Sequence, residues 1–305
     1  MLAPDARSGR LLGGGVCALA VLLGGCTSWK DRFLRSSVVQ ARQYTLQGLD
    51  AADRGDDGLA TELLAKAVET CPESGDAKRQ YAEALWRHGR RSEAIAQLEQ
   101  AAATRADDVD LLLRLGEMHL AAGHVAAAQR CAVRCRQLDR GRAEAWRLEG
   151  DVLVGEKRPD EALARYHRAL AIRTHYPEVQ LAVAKIYLAQ GRPQRALATA
   201  ESLAAGLMPD SEPVDLYIVR GLAYRALGRP TRAAEEFQWA LRRGGPNPEV
   251  EVLLAESLDS SGDRVNAELV LRGTVTRSPE FVAARTMLDR LTETAPDGPG
   301  GAVLR

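Results

Sequence analysis

The feature that most constrains this chain is a step of 34 residues. Gly55, Gly89 and Gly123 stand 34 apart, Gly191 keeps the step two periods on, and Gly228 and Gly262 resume it after a short slip. Each is followed five residues later by an alanine: Ala60, Ala94, Ala128, Ala196, Ala233 and Ala267. At the one missing rung stands Lys157, with Ala162 in place. A unit this short does not bury its own apolar face, so it must stack on the next copy of itself. Stacked units make extended surfaces more readily than enclosed pockets, which points towards binding rather than catalysis.

Composition enters at two points. The chain is 46% hydrophobic but only 5% aromatic, with alanine and leucine dominant, as closely packed helices require, so an all-α fold is expected. The 41 Lys and Arg balance the 41 Asp and Glu, and no run of five like charges occurs. Long-range attraction for a polyanion is absent, which argues against nucleic acid as a partner.

Catalytic chemistry has no foothold. His88, His119, His124, His167 and His175 are scattered, and no HExxH, paired CxxC, GxSxG or glycine-rich phosphate loop is present. Cys131 and Cys135 lie four apart on a predicted helix, with His124 two turns earlier, which is the nearest approach to a metal site. Cys135 occupies a small-residue position of its unit, so packing is the better reading, and no metal or cofactor is expected. Side chains four apart on a helix tilt the same way, so a disulfide between this pair is not expected. Cys71, Cys131 and Cys135 are expected as reduced or buried thiols.

The first 25 residues read as a targeting segment. Arg7 and Arg10 precede an apolar, glycine-bearing run over 11–23 that is too short for a spanning helix. Leu23, Gly24, Gly25 and Cys26 resemble the bacterial lipobox, which implies diacylglycerol on the Cys26 thiol, cleavage before it, and a mature chain on the periplasmic face of a membrane. Thr27 is not the aspartate that favours inner-membrane retention, so the outer membrane is favoured. Residues 26–40 are expected as anchor and linker.

The repeats resemble the tetratricopeptide family. The unit near Ala143 carries Trp146, Gly150, Leu153, Ala162, Tyr166 and Ala169, and the unit near Val214 carries Tyr217, Gly221, Tyr224, Gly228, Ala233, Phe237 and Ala240. On this register repeats run near 41–74, 75–108, 109–142, 143–176, 177–210, 214–247 and 248–281. A capping helix at 281–294 completes a region spanning 41–294, and 295–305 is expected to be disordered. The resemblance implies an all-α, right-handed solenoid of helical hairpins.

The small residue of each first helix (Gly48, Ala82, Gly116, Gly150, Ala184, Gly221, Ala255) lets the partner helix approach closely. The inter-helix glycine permits positive φ, and polar residues after it are expected to cap the second helix, most clearly in Gly89-Arg90-Arg91-Ser92-Glu93.

In such arrays the first helices line a binding groove. Projecting that face selects Arg79, Glu83, Trp86 and Arg87, then Leu113 and Glu117, Arg147 and Asp151, Lys185, and Arg225. The mixture of both charge signs with apolar residues suits a protein or peptide partner, with Trp86 as an anchor. The competing reading is a solvated face with intrahelical pairs Arg79–Glu83 and Arg147–Asp151. The acidic members speak against a clamp for a chain terminus. The resemblance implies a non-catalytic scaffold or adaptor, lipid-anchored at the envelope, similar to the repeat lipoproteins that assist outer-membrane insertion, pilus assembly or secretion. The alternative is an accessory module of cell-wall or polysaccharide synthesis that binds an enzyme or a glycan.

Overall fold

The computed structural model describes residues 36–208 and 211–293. The expected signal peptide, Cys26 and the C-terminal tail lie outside the described residues. Every regular element described is helical, and none of these helices is long and apolar enough to cross a membrane. The chain divides into two compact units, one reaching to Asp139 and the other beginning at Arg140.

The first unit holds three hairpins. Helix α1 (36–53) pairs with α2 (Asp57–Thr70), α3 (Gly75–Arg87) with α4 (Arg91–Thr104), and α5 (Val109–Ala121) with α6 (Val125–Leu138). Residues 36–40, expected as linker, already belong to α1. The second unit holds α7 (Ala143–Gly155) with α8 (Pro159–Ile172), α9 (Pro177–Ala189) with α10 (Pro193–Ala205), α11 (Val214–Ala226) with α12 (Pro230–Gly244), and α13 (Pro248–Ser260) with α14 (Arg264–Arg277). A last helix, α15 (Val282–Glu293), buries Ala284, Met287 and Leu291 in the same cluster as α13 and α14.

The 34-residue ladder is a ladder of identical turns. In every hairpin the residue after the rung donates its backbone N–H five residues back, at 2.8–2.9 Å, as in Arg90 to Leu85 and Asp263 to Leu258. That bond closes a helix end whose next residue must take the left-handed conformation. The glycine rungs accordingly have φ of 66° to 89°, and Lys157 takes the same shape at φ 60°, the one non-glycine residue with positive φ among those described.

The expected polar cap of the second helix forms in some hairpins and not in others. After Gly89 the cap residue is Arg90, whose side chain makes no cap bond. Its guanidinium instead forks onto Glu93 at 2.7 and 2.6 Å, and Arg158 does the same to Glu161. Three second helices begin on proline (Pro159, Pro193, Pro230), which has no N–H to satisfy. Asp56 and Asp263 are the residues that cap second helices through their own carboxylates, bonding the N–H three residues on.

Helix-to-helix approach is set by size matching sixteen residues apart. A Cβ at Gly150 would meet the Tyr166 ring at 2.5 Å, one at Gly221 the Phe237 ring at 2.6 Å, and one at Gly48 the Leu64 side chain at 2.7 Å. Leu98 and Leu271 stand opposite Ala82 and Ala255 at the same interval, so both aromatic rings face a glycine while leucine faces either glycine or alanine. The slip before α11 is held by charge: Arg220, largely buried, donates to Glu212 of the inserted segment at 2.7 Å and to Glu236 of α12 at 2.9 Å.

Candidate functional site

The first-helix surface in each unit is held by ion pairs that run from one repeat to the next. In the first unit Arg114 of α5 donates two N–H groups to Glu83 of α3, both at 2.7 Å, and lies 3.4 Å from Glu117. Arg105, at the end of α4, forks onto Asp76 at 2.9 and 3.3 Å and holds that carboxyl below its ordinary range. The Arg79–Glu83 pair of the competing solvated-face reading is therefore not the bond that forms. Glu83 is taken by the bidentate fork of the neighbouring repeat, while Arg79 is exposed and contributes to the lowering at Asp76.

In the second unit Arg147 does pair with Asp151, at 2.6 Å, and also donates to the Tyr176 hydroxyl at 2.9 Å. Asp151 accepts from the Tyr166 hydroxyl at 2.7 Å as well, and burial with that carboxylate raises the phenol's pKa. Lys185 reaches Asp215 at 2.6 Å, Arg225 pairs with Glu256, and Arg173 meets Glu144 at 2.6 Å. Lys185–Asp215 and Arg225–Glu256 each couple one repeat to its neighbour, at separations of 30 and 31 residues, whereas Arg173–Glu144 ties the two ends of a single repeat.

With these charges engaged, the apolar members of the face and the exposed Arg79 and Arg87 are what remains. Val154 is 44% exposed, and Leu181, Leu188, Ile218 and Leu222 are half-buried against the second unit's core. In the first unit Trp86 is half-buried, with the Arg91 guanidinium 5.6 Å over its ring, and Arg87 is exposed. Leu113, expected on this surface, is buried at 6% exposure and offers no side chain to solvent. The partners Arg114, Asp215 and Glu256 were missed by reading one helix at a time. Opposite charges about 30 residues apart, one repeat less one turn, are the signal that finds them.

Three cysteines are free thiols and buried: Cys71, Cys131 and Cys135. Burial raises the Cys131 thiol's pKa, and Cys135 donates weakly to the Val109 carbonyl at 3.7 Å. Among the described residues no group of three or more His, Cys, Asp or Glu is placed to hold a metal ion. His119 is buried, with Nδ1 3.4 Å from His124 Nδ1 and Nε2 3.4 Å from Glu99, and desolvation lowers its pKa below the ordinary 6.5. Among the aromatics, Trp146 is half-buried, donates Nε1–H to the Arg140 carbonyl and lies under Arg165, so its ring is not an open stacking platform for a sugar.

Comparison with known proteins identifies the repeat. Family profiles described as tetratricopeptide repeat match residues 75–118, 113–177, 153–213 and 218–280. A tetratricopeptide repeat protein from Parabacteroides merdae ATCC 43184 is similar in structure, at TM-score 0.64 and 16% identity over 83% of this chain and 99% of its own. PilW, described as a widely conserved type IV pilus biogenesis factor, gives TM-score 0.64 at 19% identity over 70% and 98%. Pseudomonas aeruginosa pilF gives 0.60 at 19% identity over 72% and 99%. A search of curated proteins found no match. Proteins built from tetratricopeptide repeats generally act as non-catalytic scaffolds that bind other proteins.

Proposed function

The chain belongs to the tetratricopeptide repeat family, and from that premise we propose that it is a protein-binding scaffold held on the periplasmic side of a bacterial envelope membrane by lipid on Cys26. The observation that carries the binding reading is the state of the first-helix charges. Arg114, Arg147, Lys185 and Arg225 are already engaged by carboxylates of the same face. A clamp for a chain terminus needs guanidinium or ammonium groups free to meet a carboxylate. Beyond these pairs and the exposed Arg79 and Arg87, the face offers apolar side chains: Val154, Leu181, Leu188, Ile218 and Leu222 in the second unit, with Trp86 in the first. The occupant is an amphipathic segment of a partner protein, read through its apolar side.

The anchoring reading rests on the order of the basic start, the apolar run and Leu23-Gly24-Gly25-Cys26. Lipid there, with a second anchoring signal or further acylation, holds a protein on a bilayer stably. Work of the kind named for PilW, the building of an envelope structure, is the process class proposed.

Capture from detergent-solubilised membranes of the native host tests both parts. The native chain is expected to retain a defined protein, Val154→Glu to lose it at least tenfold, and the mature N-terminal peptide to begin at Cys26 with the mass of a diacylglyceryl group. An unmodified N-terminus upstream of Cys26 would overturn the anchor. Equal retention by the variant would overturn the binding face.

A further inference from the structure

The fourth residue of the first helix is a large apolar or aromatic side chain in several repeats: Leu112 in α5, Trp146 in α7 and Tyr217 in α11. In α9 the place belongs to Gln180 and in α13 to Glu251. α3 carries a half-buried Lys78 there, and the two buried polar replacements, Gln180 and Glu251, are treated differently. Glu251, 6% exposed, accepts from Thr274 Oγ1 at 2.6 Å and from Arg277 at 2.5 Å, both on α14. At the corresponding steps after α9 stand Leu203 and Gly206, which offer no side-chain hydrogen bond. Gln180 is only 8% exposed, and its Oε1 is sealed from solvent with no hydrogen-bond partner in the protein. A buried acceptor left without a donor is costly, and the repeat does not require one here.

Beside Gln180 lies a cavity of about 330 Å³ between the second helices α8 and α10, over α9. Gln180 and Val183 form its buried floor, Leu170 and Tyr187 its half-buried walls, and the exposed Ala198 and Ser202 part of its rim. These residues are distinct from the first-helix row of Leu181, Lys185 and Leu188. Where α7 carries Trp146, α9 carries a shorter amide with open volume next to it.

We propose that this cavity is a second binding site, which takes the side chain of a tyrosine or tryptophan from a partner protein, its O–H or N–H donating to Gln180 Oε1. Val183, Leu170 and Tyr187 give the cavity faces that suit a ring, His167, Thr174 and Thr199 add polar groups to its lining, and Gln180 Oε1, out of contact with solvent and without a partner, meets a donor there once its amide turns. The terminal torsion of glutamine is broad, so the amide turns towards the ring without leaving a rotamer well. No carboxylate lines the cavity, so a lysine or arginine would bury its charge unpaired. Phenylalanine or leucine would leave Gln180 as it is. The exposed rim leaves one side of a free ring in water, so the ring is held as part of a longer segment running between α8 and α10. This site lies beyond the first-helix face and stands or falls separately from it.

The full chain, with labelled alanine and valine methyls and labelled glutamine amides, is titrated with the N-acetyl amides of tryptophan, tyrosine and phenylalanine and followed by NMR. The tryptophan and tyrosine amides are expected to move the Val183, Ala198 and Gln180 signals together, at least tenfold more tightly than the phenylalanine amide. Gln180→Trp, which supplies the ring from within, is expected to abolish these shifts and raise Tm. Gln180→Leu, which keeps an apolar floor, is expected to remove the preference over phenylalanine, and it keeps the test decisive if the tryptophan variant does not fold. No shifts at millimolar probe, equal affinity for the three amides, or a preference that survives in Gln180→Leu would overturn the proposal.

Discussion

Lys157 shows how much one position reveals. The period alone marks it as standing where glycine belongs, and the structure finds it in the left-handed conformation at φ 60°. A side chain there costs roughly 1 kcal/mol relative to glycine. Lys157→Gly is expected to stabilise the second unit by about 0.5–1 kcal/mol, less whatever the extra freedom of glycine gives the unfolded chain. Urea unfolding checks this, and a loss of stability would show that the lysine side chain makes a contact worth more than its strain. His119 is the residue whose consequence sequence spacing did not reveal. It stands at the aromatic position of its repeat, buried against Glu99, His124 and Arg130, and desolvation depresses its pKa below 6.5 despite Glu99. The unfolded chain therefore takes up a proton that the folded one resists. The contribution is fully present above pH 6.5 and is lost as pH falls from 6.5 through the depressed folded value. Unfolding of the native chain is expected to weaken across that window, and His119→Phe to flatten the dependence; an unchanged slope would contradict this assignment. Burial at Leu113 was likewise not legible, because helical projection fixes which face a side chain takes but not how much a neighbour covers it.

At the scale of helices, the hairpins were legible and their cross-bracing was not. The close approach of α7 to α8 and of α11 to α12 follows from Gly150 against Tyr166 and Gly221 against Phe237, a match visible at a fixed interval. The pairs Glu83–Arg114 and Lys185–Asp215 depend on the register of one first helix against the next, whereas the spacing rule for a single helix compares only residues three or four apart. That is why the single-helix rule reaches Arg147–Asp151 but not the partner that Glu83 takes. The Arg90–Glu93 fork at the head of α4 was not foreseen: the residue after a left-handed glycine is itself the cap position, and here that residue is an arginine. A double-mutant cycle on Glu83→Gln and Arg114→Gln is expected to return a coupling of about 1 kcal/mol at low salt. Both groups are partly solvated, so that coupling shrinks in high salt. A coupling near zero at low salt would show that the fork does not tie α3 to α5.

At the scale of the molecule, the repeat class follows from the 34-residue step, while the division at Asp139 interrupts no feature of that step and came only from the folded chain. The first-helix surfaces, with most of their charges paired between residues of the face and their apolar side chains left over, are where a partner protein is proposed to sit. Site-specific photo-crosslinking in the native host tests this most directly, with the photoreactive residue placed at Val154 or Leu222 on first helices and, as a control, at the exposed Glu235 on α12. One defined protein adduct is expected from the first-helix positions and none from Glu235. Adducts of equal yield at all three positions, or none from Val154 and Leu222, would contradict this placement of the partner.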